Sequence, residues 1–346
     1  MSKLHLHSPA FPSRSTLEKS ILSDMQTNTR STFGKDNIFR PTPPSVRDRL
    51  QRNPSLFIAQ WLYAHRPPML EPHFKTSRVI KVVCISDTHN EQPRLPSGDI
   101  LIHAGDLSIN GTFAEVQAQL DWLNTLPHTH KVATAGNHDL LFDQSYYKRS
   151  HNRRLAGPET DEKKLKELNW GSIIHLNQSS TTLHIRGRSY CVYGSPMTPE
   201  YGNWAFQYPA VKDVWARTIP PQTDILITHG PAKGHVDANG KGCAHLNREV
   251  WHVKPRLHVC GHIHRARGVE YVDWGWLHWC HDAIYNGEGT AVQTLLMLIL
   301  MLLMWLWLWM AYLVAGPRKS RTVFVNAAVS GDWGLAEGEE TIVAEI

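Results

Sequence analysis

Five short clusters of aspartate, asparagine and histidine carry the chemistry of this 346-residue chain. They are Asp87-Thr88-His89, Gly105-Asp106, Gly136-Asn137-His138-Asp139, His229-Gly230 and Gly261-His262-Ile263-His264. Asp106 offers two oxygens and is able to bridge two cations. Asn137 offers a neutral amide oxygen, and His229, His262 and His264 offer imidazole nitrogens suited to Mn, Fe or Zn. Asp87 and His89, two residues apart, reach one ion together from just beyond a strand end. Seven donors of this mix (Asp87, His89, Asp106, Asn137, His229, His262, His264) describe a pair of divalent transition-metal ions about 3.5–4 Å apart. Such a pair lowers the pKa of a bridging water and neutralises charge on a phosphoryl oxygen, so that a metal-bridging hydroxide attacks phosphorus in line. Mn, Fe and Zn suit this donor set equally.

These donors need a rigid frame, and the residues before each cluster supply one. VIKVVCIS, DILIHA, KVATA, DILIT and LHVC are short apolar runs rich in Val and Ile, each ending in a turn, and they read as buried strands. Open α/β sheets place their sites at the carboxyl ends of strands. Between the strands lie helix-like runs, Phe113 to Thr125 and Asp161 to Leu168, and the alternation over about 78–290 predicts a layered α/β domain.

Composition narrows the function further. The net charge of +5 is modest, the basic residues are scattered, and no basic-aromatic stripe appears, which argues against nucleic acid as a dedicated partner. The five cysteines, Cys84, Cys191, Cys243, Cys260 and Cys280, lack metal-type spacing and suit a reducing, cytoplasmic setting. Residues 1–50 are Ser-, Pro- and Arg-rich and without periodicity, and are expected to be disordered. Met1 to Lys35 has no basic-then-apolar leader pattern. Residues 51–77 form a short linker whose apolar stretch, Leu56 to Ala64, is either a helix packed on the domain or an interfacial anchor.

Leu295 to Ala315 is uncharged and dominated by Leu, Met and Trp. As a helix it is roughly 31 Å long, enough to span a bilayer. Arg318, Lys319 and Arg321 flank it, which would set the C-terminal end on the cytoplasmic side. A strand-like run, Thr322 to Val329, follows. If that run completes the catalytic sheet, a single crossing would separate neighbouring strands. The segment then lies in the interface, re-enters, or packs on protein; Trp305, Trp307 and Trp309 suit an interfacial position.

Taken in order, the five clusters resemble the calcineurin-like metallophosphoesterase superfamily, whose motifs run Asp-x-His, Gly-Asp, Gly-Asn-His-Asp/Glu, Gly-His and Gly-His-x-His. The fourth departs, reading Thr228-His229-Gly230-Pro231, with glycine after the histidine. That variant is similar to the metallophosphoesterase-domain-containing branch of animals and fungi. The branch likeness extends through Ile85 to Asn90, Tyr193 to Pro199, Pro221 to Pro231, Pro255 to Val259 and Phe324 to Ala327. Some animal members of the branch carry glycine in place of the first histidine of the last motif; this chain keeps His262, which implies a complete site.

The resemblance implies that Asp87, His89, Asp106 and His264 hold one metal, and Asp106, Asn137, His229 and His262 the other. His138 would contact the phosphate or protonate the leaving oxygen, with Asp139 orienting its ring and raising its pKa. The implied fold is a four-layer sandwich of two mixed β-sheets flanked by helices. The phosphoesterase domain would occupy 78–294, be interrupted by the apolar insertion 295–315, and be completed by C-terminal strands in 316–346. The implied activity is metal-dependent hydrolysis of a phosphate ester, with a phosphodiester such as a (cyclic) nucleotide favoured. A catalytically weak nucleotide-binding module and a membrane-associated scaffold are the alternatives. Asn90, Asn110, the Ser195–Tyr208 segment and Asp237–His245 are candidates to line the pocket. Asn90, Trp204 and His138 are expected to touch substrate, and Trp204, Phe206 and Tyr208 are candidates to stack on a base.

Overall fold

The computed structural model describes residues 45–69, 79–149, 162–238, 240–318, 321–329 and 341–346. The chain divides into two units, Met1–Gln51 and Arg52–Ile346. Most of the expected disordered segment 1–50 and the end of the 51–77 linker lie outside the described residues. The last residues of that segment are helical rather than disordered: they begin α1, Val46–Arg52.

The second unit opens with α2 (Pro54–Ala64), started by Asn53, whose side chain accepts from Leu56 N at 3.0 Å, and by Pro54 in the first turn. Then come β1 (Lys81–Ile85), β2 (Ile100–Ala104), α3 (Phe113–Thr125), β3 (His130–Thr134), α4 (Gln144–Arg149), α5 (Glu162–Glu167) and β4 (Ile173–His175). The long hairpin β5 (Ser179–Ile185) and β6 (Arg188–Ser195) follows, with the short pair β7 (Thr198–Pro199) and β8 (Gln207–Tyr208). Beyond them lie β9 (Ile225–Thr228), α6 (Ala244–Val253), β10 (Leu257–Cys260) and β11 (Gly268–Val272). Two helices come next, α7 (Trp276–Asn286) and α8 (Ala291–Ala315), before β12 (Thr322–Asn326) and β13 (Ile342–Glu345).

Two large sheets form, in the orders β13-β1-β2-β3-β4 and β11-β12-β10-β9-β6-β5. Both are mixed: β1 pairs in parallel with β2 and antiparallel with β13, and β12 in parallel with β10 and antiparallel with β11. Val82, Cys84, Ile100 and Ile102 of the first sheet pack against Val192, Ile225, Val259 and Val325 of the second. The opposite face of the first sheet, through Val83, Ile85 and Leu101, packs on Val116, Leu120 and Leu123 of α3. The outer face of the second sheet, through Leu226 and Phe324, meets Leu246 and Val250 of α6. Strands buried on both faces need apolar residues at every position, which is why they read as continuous runs rather than alternating ones.

The expected final strand is shorter than 322–329. Asn326 ends β12 because its amide turns inward, donating to the carbonyls of Val236 and Ile263 at 3.1 Å each. The chain then crosses to the other sheet, where Ala328 bridges to Ser86. The C-terminal residues therefore complete both sheets.

The apolar insertion is wider than 295–315. It is a pair of helices, α7 and α8, standing between two hydrogen-bonded neighbours, β11 and β12. Thr290 and Gln293 form a capping box at the start of α8. Met297, Met301, Met304 and Leu308, spaced by three or four residues, form the face that packs on Ala59 and Leu62 of α2 and Cys280 and Ile284 of α7. Thus Leu56 to Ala64 belongs to a helix packed on the domain. The remainder of α8 is uncovered: only 6% of its most apolar window is buried. Trp305 and Trp309 share a side of α8: both indole N–H groups donate to His65 O, at 2.8 and 3.1 Å, while Trp307 on another side is 55% exposed.

Candidate metal centre

The donors of the first three motifs sit just past the ends of β1, β2 and β3, and those of the last two past β9 and β10. The backbone there is unusual. Asp87, His89, Asp106 and His262 all have positive φ, of 55°, 44°, 53° and 64°. Non-glycine residues seldom adopt this region, and strain of order 1–3 kcal/mol at each must be held by the surroundings. Hydrogen bonds between the loops do this: Asp87 N donates to Gly105 O at 2.8 Å and His89 N to Asp106 O at 3.1 Å. The motif glycines make room for carboxylates. A Cβ on Gly136 would collide with Asp106 Oδ1, and one on Gly261 with Asp87 Oδ2.

All seven expected donors converge. Asp87, His89 and His264 form one group, and Asp106, His229 and His262 another, with the donor atoms of each group within 4.8 Å of one another. His264 Nε2 lies 3.2 Å from Asp87 Oδ1, and His229 Nε2 lies 3.4 Å from Asp106 Oδ2 and 2.9 Å from Asn137 Oδ1. Asp106 also faces His89, at 3.8 Å, so it stands between the two groups. The ring nitrogens that point away are tied to backbone carbonyls, His229 Nδ1 to Ala104 O at 3.0 Å and His89 Nδ1 to Ser108 O at 3.2 Å. That leaves the Nε2 atoms turned to the centre, the arrangement ligating histidines adopt.

The electrostatics favour cations. Burial alone would raise the Asp106 carboxyl, but His229 outweighs it and holds the group well below the usual carboxylate range. Burial likewise opposes charge on His229, yet Asp106 and Asp87 raise it to about 9, so a metal ion must displace that proton to bind there. His262, buried and beside His229, is pushed down to about 4 and stays neutral, as a ligand must. Buried carboxylates facing oriented imidazoles fit divalent metal ions.

His138 comes to the same place. Its Nδ1 bonds Ile109 O at 2.8 Å, its ring stacks on Trp204 at 4.2 Å, and it meets His89 edge-on at 4.8 Å. The contact expected from Asp139 is not made. Asp139 is fully buried, and its carboxylate accepts from Gly136 N, Leu107 N, Ser108 N and Ser108 Oγ at 2.7–3.1 Å. It locks the second and third motif loops together, and the Ile109 carbonyl orients His138 instead.

Asn90 is also placed differently from expectation. Its amide donates to Glu115 Oε1 at 3.0 Å, as does that of Asn110 at 2.9 Å, so both brace the start of α3. Trp204 lines the cleft, but Phe206 and Tyr208 are buried, with Tyr208 Oη bonded to Cys243 Sγ and Trp215 Nε1. In the Asp237–His245 segment, residues 240–244 line the cleft, while Asp237 is buried and accepts from Gly234 N, Gly240 N and Gly242 N. The cleft measures about 1260 Å³. Lys233, Lys241, Arg265 and Arg267 line it beside the donors. Lys241 falls within the expected Asp237–His245 segment; sequence reasoning missed Lys233, Arg265 and Arg267, because single basic residues have no periodic signature.

Two mixed sheets present carboxylates, an amide and imidazoles at their joined ends, the fold and donor arrangement of the metallophosphoesterase class. The family model for calcineurin-like phosphoesterase matches residues 80–266, and the chain belongs to that family, in its metallophosphoesterase-domain-containing branch. It is 40% identical over 252 residues to the probable rhamnogalacturonate lyase C of Emericella nidulans, a match covering 72% of this chain and 23% of that protein. It is 39% identical over 208 residues to metallophosphoesterase domain-containing protein 1 of Homo sapiens, covering 55% of this chain and 62% of that one. A UPF0046 protein of Caenorhabditis elegans is 34% identical over 214 residues, with 55% and 70% covered. The chain thus spans under a quarter of the first relative and under two thirds of the second.

Proposed function

We propose that the protein hydrolyses a phosphodiester at two divalent transition-metal ions, one held by Asp87, His89, Asp106 and His264, the other by Asp106, Asn137, His229 and His262. The observation carrying this reading is the convergence of seven donors and His138 on one cleft, beside the basic side chains of Lys233, Lys241 and Arg265. Bound there, the metals would supply an acidified water and Lewis-acid neutralisation of phosphoryl charge. Lys233, Lys241 and Arg265 raise the local concentration of an anionic substrate. His138 has its Nδ1 tied to a carbonyl, so proton exchange with a leaving oxygen runs through Nε2. Trp204, stacked on His138, offers an aromatic wall for the second ester substituent, a nucleobase among them. The test is a mono- and diester panel run with metal analysis on wild type and Asp106→Ala. The expected outcome is preferred diester turnover that falls to background in the folded variant. Preferred monoester turnover overturns the diester reading, activity retained in Asp106→Ala overturns the metal reading, and nucleotide binding without hydrolysis makes the protein a binding module.

We further propose that α8 rests in a membrane interface without crossing it. β11 and β12, on either side of the insertion, are paired from Gly268↔Asn326 to Val272↔Thr322, and no bilayer fits between paired strands. Leu296, Ile299, Leu303, Leu306 and Trp307, all about half exposed or more, form an apolar face larger than single scattered residues make. Co-sedimentation with anionic vesicles is expected for wild type and should be lost in Leu303→Glu/Leu306→Glu, with hydrolysis unchanged. Wild type that stays in the supernatant sinks this reading.

A further inference from the structure

A second histidine–aspartate cluster lies outside the cleft, where α7 meets the second sheet. His235, His278 and Asp282 are all buried, with exposures of 0%, 2% and 4%, and their donor atoms lie within 4.8 Å of one another. His235 Nε2 is 3.6 Å and His278 Nε2 3.3 Å from Asp282 Oδ2. Both Nε2 atoms are buried and face the Asp282 carboxylate without a well-aligned hydrogen bond. Donors on one tetrahedral zinc ion stand roughly 3.3 Å apart, given bonds of about 2.0–2.1 Å.

The far side of each ring is already oriented. His235 Nδ1 lies 3.0 Å from Glu270 Oε2, the carboxylate–histidine pairing that supports metal ligands. His278 Nδ1 lies 2.7 Å from Tyr63 Oη, which is 3.1 Å from Glu270 Oε1. A tyrosine hydroxyl has one hydrogen. If it goes to the Glu270 carboxylate, His278 donates from Nδ1 and turns the bare lone pair of Nε2 toward Asp282. Two like-signed faces at that distance repel, and a cation between them reverses the sign. Asp282 is braced as well: Asn247 Nδ2 and Trp251 Nε1 donate to Oδ2 at 2.9 and 2.8 Å, and His281 Nδ1 lies 3.0 Å from Oδ1.

We infer that His235, His278 and Asp282 bind a third divalent cation of the zinc class, separate from the strand-end centre and structural in role. Three protein donors are the usual minimum for such an ion, with one coordination position left over. The ion would tie α7, and with it α8, to the segment of His235, near Lys233, Lys241 and Gly242, which line the cleft. The competing arrangement is a proton in place of the ion. Burial opposes charge on His235, but Glu270 and Asp282 prevail and raise it to about 10, so zinc must displace that proton to bind.

The experiment uses the full chain, stripped with a chelator, reloaded with zinc chloride, desalted and analysed for metal. Wild type should retain one equivalent more than His278→Ala and than Asp282→Asn, whatever number the strand-end centre holds. Both variants should keep phosphoester hydrolysis, which distinguishes this loss from failure of the catalytic reading. Equal zinc content in wild type and a folded variant overturns the proposal. Should both variants fail to fold, zinc-edge anomalous diffraction from wild-type crystals decides: a peak among His235, His278 and Asp282 supports the site, and a map without one there assigns the cluster to a proton-bridged ion network.

Discussion

Two groups of histidines and aspartates stand in one molecule, and they are built in opposite ways. The strand-end group is held by backbone: donors sit at positive φ on short loops, their outer nitrogens bound to carbonyls, with their working atoms lining a cleft. The cluster of His235, His278 and Asp282 is held by side chains, through Glu270, Tyr63, Asn247 and Trp251, and is closed to solvent. Strain is tolerable where it aims a group at a substrate. A sealed cluster has no substrate to aim at, and its bonds instead join helices to a sheet. Substitution in the open group should therefore cost rate, and substitution in its buried supports should cost stability.

The largest effect expected tests the first half of that contrast. His138→Ala removes an exchangeable proton at the cleft but no buried partner, and should lower kcat by about 10²–10⁴-fold. Its unfolding midpoint in urea should stay at the wild-type value. A variant that loses stability but keeps kcat would break the contrast. Asp139→Ala addresses the second half, within the same motif. It strips four buried donors of their acceptor at roughly 1–3 kcal/mol for each group left bare, so a loss of several kcal/mol is expected in urea unfolding. If Asp139→Ala instead kept its stability, the loops would be locked by something else.

Those two neighbours also show how far the sequence could be read. The strands were legible because both faces of each are buried, and the five clusters because glycine and donor recur at strand ends. Direction of contact was not. Asp139 follows His138 in the chain, yet its carboxylate points the other way, into the Gly105–Ser108 loop, and nothing in residue order encodes that turn. Asn90 and Asn110 looked like pocket residues because asparagines on loops often are, and both instead serve Glu115. The sealed cluster was invisible as a whole, since His235 lies far from α7 in sequence. Only the spacing of His278 and Asp282, four apart on one helix face, carried a local signal.

The smallest effect concerns pH, where buried histidines of opposite sign share one core. Burial pushes His258, bonded through Nε2 to Thr228 Oγ1 at 2.8 Å, down to about 3, and the Trp170-stacked His175 down to about 4. An unfolded histidine titrates near 6.5. Between these values the unfolded chain binds the extra proton, so this stability is intact above pH 6.5 and drains away as pH falls. His235, raised to about 10, behaves in reverse: its contribution is full below pH 6.5 and is lost as pH climbs toward 10. Each differing proton changes the slope of stability with pH by at most about 1.4 kcal/mol per pH unit. Replacing His258 with Asn should therefore flatten the acid limb between pH 6 and 4.5 by about that amount while leaving the alkaline limb alone. Urea unfolding across that range measures both limbs. An acid limb as steep in His258→Asn as in wild type would mean His258 is protonated in the folded protein, and that the core beside the sealed cluster tolerates charge without a partner.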